Sequence, residues 1–183
     1  AYGAEPVTLG TTVTAVNDAP VLALDGQQTP RSTATLAAVA EDTADPAGAT
    51  VGALFASNFS DAADQVPSGS TAHQLAGVAV TGYTADARGQ WQYKATGDLE
   101  TWTVLSSITA ASALKLAATT VLRFVPAKDF NGAAPALTVR LADSSVAFTA
   151  GPVDLSDAGS FGGTSAYGAE PVTLGTTVTA VND

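Results

Sequence analysis

The side chains of this chain that could do chemistry are almost all oxygen donors, and they fall in short groups. Asn17-Asp18 closes the first threonine-rich stretch and Asn182-Asp183 closes the last. Glu41-Asp42 follows the first pair, Asp61 and Asp64 stand three apart in FSDAADQ, and Asp129 and Asn131 share DFNG. Asp143 ends an alternating apolar run. Carboxylates, Asn amides and backbone carbonyls are the donors a hard cation such as calcium takes, typically about six to eight oxygens at a time. Each group also has a plainer reading. Asn17-Asp18 can form a turn before Pro20, and Glu41-Asp42-Thr43 a solvated turn. Asp129 to Gly132 can turn with Phe130 tucked inward and Gly132 at positive φ. Asp61 and Asp64 can cap a helical turn or bind an ion.

Enzymatic readings are weak. His73 is the single histidine, and with no cysteine and no second histidine it lacks partners for a familiar zinc site. Ser70 and Asp64 lie near it in sequence, but no G-x-S-x-G elbow surrounds any serine. Paired carboxylates of the glycosidase kind are not separable from these groups by spacing. Lys94, Lys115 and Lys128 are the lysines available for a Lys–Asn crosslink, and no spacing selects a pair.

The elements that must position these groups are organised by a duplication. Residues 1–18, AYGAEPVTLGTTVTAVND, recur unchanged as residues 166–183, a spacing of 165 residues (166 minus 1). A fixed internal period is the signature of an array. The expected organisation is therefore residues 1–18 as the last strand and linker of a preceding repeat, and residues 19–183 as one complete repeat ending in the next linker. A catalytic site copied along such an array would be unusual, so the chain is read as non-enzymatic.

Within the duplicated segment Val7, Leu9, Thr11, Val13 and Ala15 alternate with Thr8, Thr12, Thr14 and Val16, the period of a strand in β-branched residues. Further strands are expected at residues 21–24, 35–40, 77–83, 90–95, 101–105, 121–125 and 137–141. Residues 90–105 read as a hairpin turning at Thr96-Gly97-Asp98. Its Trp91, Tyr93 and Trp102 could cluster on one sheet face, as cross-strand packing or as a sugar platform. The Ala-rich stretches 51–58 and 109–119 suit short helices or turns, and residues 154–165 a Gly/Ser loop. The fold class expected is an all-β sandwich with one or two short helical turns.

Composition agrees. Hydrophobic residues make up 46% and charged residues 13%, enough apolar content for a core. The net charge of -10 disfavours nucleic acid, whose phosphates need basic patches. With no cysteine, no disulfide can brace the fold. No apolar run reaches the length of a membrane span.

Four features occur in order: AVNDAPVL at residues 15–22, AEDT at 40–43, FVPAKDFNGAAPALTVRLADSS at 124–145, and a second AVND at 180–183. That order resembles the cadherin-like tandem repeats of giant bacterial surface and secreted adhesins, well at both ends and in the last third, poorly over residues 50–107. The resemblance implies a sandwich with calcium between successive domains. Carried over, the ligands would be Asn17 and Asp18 at one junction and Asn182 and Asp183 at the next, with Glu41, Asp42 and Asp143 meeting the junction from the body. It implies an extracellular, secreted or surface-attached fibre supporting cell adhesion or a biofilm matrix. The partners would be adjacent identical repeats, neighbouring fibres or cell-surface glycans. The alternatives are a glycan- or protein-binding module using the aromatic face, and a filament subunit joined by strand exchange.

Overall fold

The computed structural model describes residues 3, 5–95 and 101–182. After Pro20 the chain forms β1 (Val21–Leu22), β2 (Thr33–Thr35), β3 (Val39–Ala40) and β4 (Ala49–Thr50), then helix α1 (Val51–Phe55). The Thr50 hydroxyl accepts the Ala53 N–H at 3.2 Å and so caps α1, which buries Val51 and Phe55. There follow β5 (Phe59–Ser60), β6 (Leu75–Gly82), β7 (Gly89–Lys94), β8 (Thr103–Val104), β9 (Ala113–Ala117), β10 (Val121–Pro126), β11 (Gly132–Ala133) and β12 (Leu137–Asp143). The chain closes with β13 (Gly151–Val153), β14 (Tyr167–Gly175) and β15 (Thr177–Thr179). No described helix is long and apolar enough to cross a membrane.

The strands form an all-β sandwich. A six-stranded sheet, β13-β9-β6-β12-β14-β2, faces a four-stranded sheet, β4-β10-β7-β8; a three-stranded sheet, β11-β15-β3, and the β1-β5 pair complete it. Alternation explains the packing. Val78 and Val80 of β6, Val139 and Leu141 of β12, and Val172 and Leu174 of β14 meet Trp91, Leu122 and Phe124 of the facing sheet in one core. Ala79, between Val78 and Val80, points the other way, into a smaller cluster with Ala113 and Leu155.

Two chain segments change sheet together. β2 runs parallel to β14 and β3 parallel to β15, and the crossing is pinned where Leu36 donates to the Gly175 carbonyl and the Thr176 hydroxyl donates to that of Ala37. The run from Tyr167 to Thr179 therefore extends along the sandwich, about 40 Å at strand rise. Its start pairs with the end of β12 near Asp143, and its end lies beside Ala40. Those two ends define two poles.

The two copies of the duplicated segment share a sequence and differ, over their described residues, in burial and strand pairing. In the second, Val172, Leu174 and Val178 are 0%, 0% and 2% exposed. In the first, the equivalent Val7, Leu9 and Val13 are 95%, 97% and 90% exposed, and residues 6–16 form no strand. The expected faces hold in the second copy, where Thr173, Thr177 and Thr179 point outward.

The expected hairpin forms, with Tyr93 opposite Thr103 and Gln92 opposite Val104; its turn, residues 96–98, lies outside the described residues. The shared aromatic face does not form. Trp91 is fully buried, donates its indole N–H to the Pro135 carbonyl at 2.7 Å, and meets Phe124 edge-on. Trp102 lies under the Arg123 guanidinium, 3.7 Å from its ring centroid, on the side of β7 that carries Gln92 and Lys94. Arg123 also binds Gln92 and Asp45, so that side carries a polar network. Residues 51–58 are helical as expected, but only 110–112 of the second Ala-rich stretch form a helical turn. Residues 113–117, ALKLA, form β9 instead, because their alternation lets Ala113 and Leu116 take buried places beside β6.

Candidate metal centre

At the pole where β12 ends, three separated stretches bring acids together. β5 leads into a 3₁₀ turn over Ala62–Asp64, in which residues three apart eclipse, so Asp61 and Asp64 line up in one row. Asp61 makes no capping hydrogen bond to that turn. Its carboxylate accepts the His73 backbone N–H at 2.6 Å. The intervening loop is closed by the Ser70 hydroxyl donating to the Asp64 carbonyl at 2.6 Å. That bond turns the Ser70 hydroxyl to the backbone. His73 then enters β6, whose first residue, Leu75, pairs with Asp143.

The imidazole Nδ1 of His73 lies 2.9 Å from Asp64 Oδ2 and 3.3 Å from Asp61 Oδ2, and the three ligand atoms fall within 4.8 Å of one another. Asp61 and Asp64 are 5% exposed and Asp143 is 0% exposed. Burial pushes the Asp61 carboxyl up, its bond from the His73 N–H opposes this, and the charges of Asp64 and Asp143 add to the rise. For His73, burial acts downward, but the hydrogen bond to Asp64 and the charges of Asp143 and Asp61 outweigh it and raise the imidazole.

Residues 17–19 dock here. The Asp18 N–H donates to Asp64 Oδ1 at 2.9 Å and the Ala19 N–H to the Gly163 carbonyl at 2.7 Å. The Asn17 amide reaches Asp143 at 3.5 Å and the carbonyls of Thr164 and Ser165 at 3.4 and 3.3 Å. Asn17 thus spans to the sandwich body and does not close a local turn.

Glu41 and Asp42 lie at the other pole. Glu41, 7% exposed, accepts the Val181 N–H at 2.6 Å and the Asn131 amide at 3.1 Å. Asp42 accepts the Asp129 N–H at 3.0 Å, and Lys128 binds the Asp129 carboxylate. Here Phe130 packs against the core, Asp129 adopts φ 57° and Gly132 φ 115°. Within one chain the expected ligand set is therefore divided: Asn17, Asp18 and Asp143 at the first pole, Glu41, Asp42 and Asn182 toward the second, with Asp183 outside the described residues. The grouping of Asp61, Asp64 and His73 was not assembled from the sequence. Its available signal was the three-residue acid spacing and a lone histidine just ahead of a strand.

No protein-family model, curated protein or solved structure matches this chain.

Proposed function

We propose that this chain is a structural repeat of a long extracellular fibre or stalk, built as a tandem array and serving cell adhesion or a biofilm matrix. The observation that carries the reading is the double fate of the duplicated segment. Its apolar side chains occupy the centre of the sandwich in one copy and face solvent in the other. The first copy cannot complete its own sandwich. Asn17 is held at the pole where β14 begins, whereas filling the β14–β15 slot would put that residue at the opposite pole, about 40 Å away. It therefore belongs to the slot of another repeat, and covalent linkage supplies that repeat without displacing β14. The burial of Trp91 removes one ring from the glycan-platform alternative.

In an array Val16 and Val181 are one position, as are Asn17 and Asn182, and Asp18 and Asp183. The separate contacts then combine into a junction. Glu41 of one repeat takes the Val181 N–H, and Asp64 of the next takes the N–H two residues on, at Asp18. Those N–H groups lie about 7 Å apart in an extended chain. Carboxylates at that spacing repel by about 2 kcal/mol at an effective dielectric of about 20. Calcium is the ion of this reading. Glu41 and Asp42 would reach it from one repeat, the Asn-Asp linker from between, and Asp143 from the next.

The test is a chain extended by a second copy of residues 19–183, measured by small-angle scattering and thermal melting in calcium and in EGTA. The reading expects end-to-end lengthening by about the 40 Å of the long strand run plus its linker, with calcium narrowing the range of lengths. Side-by-side packing with no lengthening would overturn the stalk, and identical profiles in both buffers would remove calcium from it.

A further inference from the structure

We propose that Asp61, Asp64 and His73, with the Asn17 amide beside them, form a binding site for a borderline divalent cation of the zinc class, its three charged or imidazole ligands contained within residues 19–183. The inference does not rest on the array reading. Three observations support it.

The first is geometric. A cation bound at about 2.0–2.2 Å separates neighbouring ligands by about 2.9 Å at right angles and about 3.4 Å at the tetrahedral angle. The His73 Nδ1 distances of 2.9 and 3.3 Å to the two carboxylates already match such edges. The three ligand atoms lie within 4.8 Å of one another, so meeting one ion requires the two carboxylates to close toward each other around it.

The second is an unsatisfied acceptor. The Asp61 side chain is 1% exposed, and its Oδ1 is buried with no hydrogen-bond partner; Asn17 Oδ1 is in the same condition. Buried polar atoms are nearly always paired, and an oxygen left without a donor is destabilising. Both orphans are acceptors, so the missing partner is a cation or a donor. Asn17, Asp64 and His73 line one open cleft, which gives an ion a route from solvent.

The third is donor chemistry. Calcium selects oxygen shells, whereas an imidazole nitrogen among carboxylates suits zinc and its neighbours. Asp143 supplies a further buried negative charge close enough to act on both Asp61 and His73. The competing occupant is a proton: an imidazolium donating Nδ1–H to Asp64 would account for the 2.9 Å contact alone. It leaves Asp61 Oδ1 unpaired, an oxygen that an ion gripping both oxygens of the Asp61 carboxylate would satisfy.

The experiment is calorimetric titration of the chelator-treated 183-residue chain with zinc chloride, in millimolar calcium throughout. Cobalt is used in parallel as a visible-spectrum probe of nitrogen and oxygen ligation. The site predicts one equivalent of zinc, a rise in melting temperature, and a cobalt spectrum that His73→Gln abolishes. His73→Gln should weaken zinc by at least about tenfold. Asp61→Asn, which keeps the side-chain shape, should do the same, and circular dichroism of both variants should match the parent. Absence of zinc binding would overturn the site in favour of the imidazolium or a buried water. Binding that survives His73→Gln unchanged would overturn the ligand assignment, as would calcium displacing zinc at equal concentration.

Discussion

Leu9 and Leu174 are the same position of the duplicated segment, 97% exposed in one copy and 0% exposed in the other. Truncation to alanine removes three carbons. At about 0.8 kcal/mol per methylene the transfer contribution is near 2.4 kcal/mol. Leu174 sits between β12 and β2, where neighbours on both sides are pinned by strand pairing and collapse poorly, so a cavity contribution adds to it. Leu174→Ala should therefore cost about 3 kcal/mol, inside the range of about 2–5 seen for buried leucines. For a domain of this size that lowers the melting temperature by roughly 6–12 °C. Leu9→Ala should stay within about 0.5 kcal/mol. Urea and thermal denaturation followed by tryptophan fluorescence measure both. Equal losses from the two variants would refute the claim that the first copy lies outside the fold. With a preceding repeat body fused ahead of residue 1, Leu9→Ala should become as costly as Leu174→Ala. Persistent neutrality there would refute the assignment of residues 1–18 to a neighbouring repeat.

Trp91→Ala should destabilise by about 3–5 kcal/mol, because it empties the centre of the core and orphans the Pro135 carbonyl; denaturant midpoints check this. Glu41→Ala removes the acceptor of both Val181 and Asn131 and should cost about 2 kcal/mol, with faster amide exchange at Val181 as its local signature. Gly77→Ala should cost about 1–3 kcal/mol, since a Cβ there would stand 2.3 Å from the Leu116 carbonyl oxygen and 2.7 Å from Phe148. Asp25 accepts the N–H groups of Thr29 and Gln27, which hold its carboxyl below the ordinary value. A carboxyl depressed in the folded state contributes stability above its unfolded pKa and loses it as pH falls through the folded one. An NMR titration should place its midpoint below 3.8, and Asp25→Asn should remove that acid-side dependence.

The alternation of apolar and polar residues made most strands legible, from Leu75–Gly82 to Leu137–Asp143, because a half-buried strand writes its period directly into the sequence. Where both faces are buried the signal weakens. Residues 113–117 look helical by composition and form a strand because β6 on one side and β13 on the other decide the matter. Trp91 and Tyr93 lie on β7 as the alternation predicts, whereas Trp102 precedes β8 and sits on the opposite side of β7 from Trp91, a facing that depends on the cross-strand register. The poles were the least legible. Asn17 and Asp143 meet across 126 positions, and His73 reaches Asp61 only through the loop that Ser70 closes. No local pattern encodes such convergence. Residues 6–16 form no strand, whereas the same sequence in the second copy builds β14 and β15, which shows most directly that this strand is made by its slot.

The placement of residues 17–19 and Val181 fixes how the sandwich meets tension applied between them. The chain enters at Asn17–Ala19, beside the start of β14, and leaves at Val181, beyond the end of β15. A pull between those points runs lengthwise along β14 and β15, sliding them past β12 and β2 on one sheet and past β11 and β3 on the other. In that shear direction the rungs of each ladder are strained side by side and must give way together, whereas a pull across the strands would peel them one at a time. In the proposed array the duplicated segment would thus also be the one through which force passes, and its interstrand bonds would set the rupture threshold of each repeat in series.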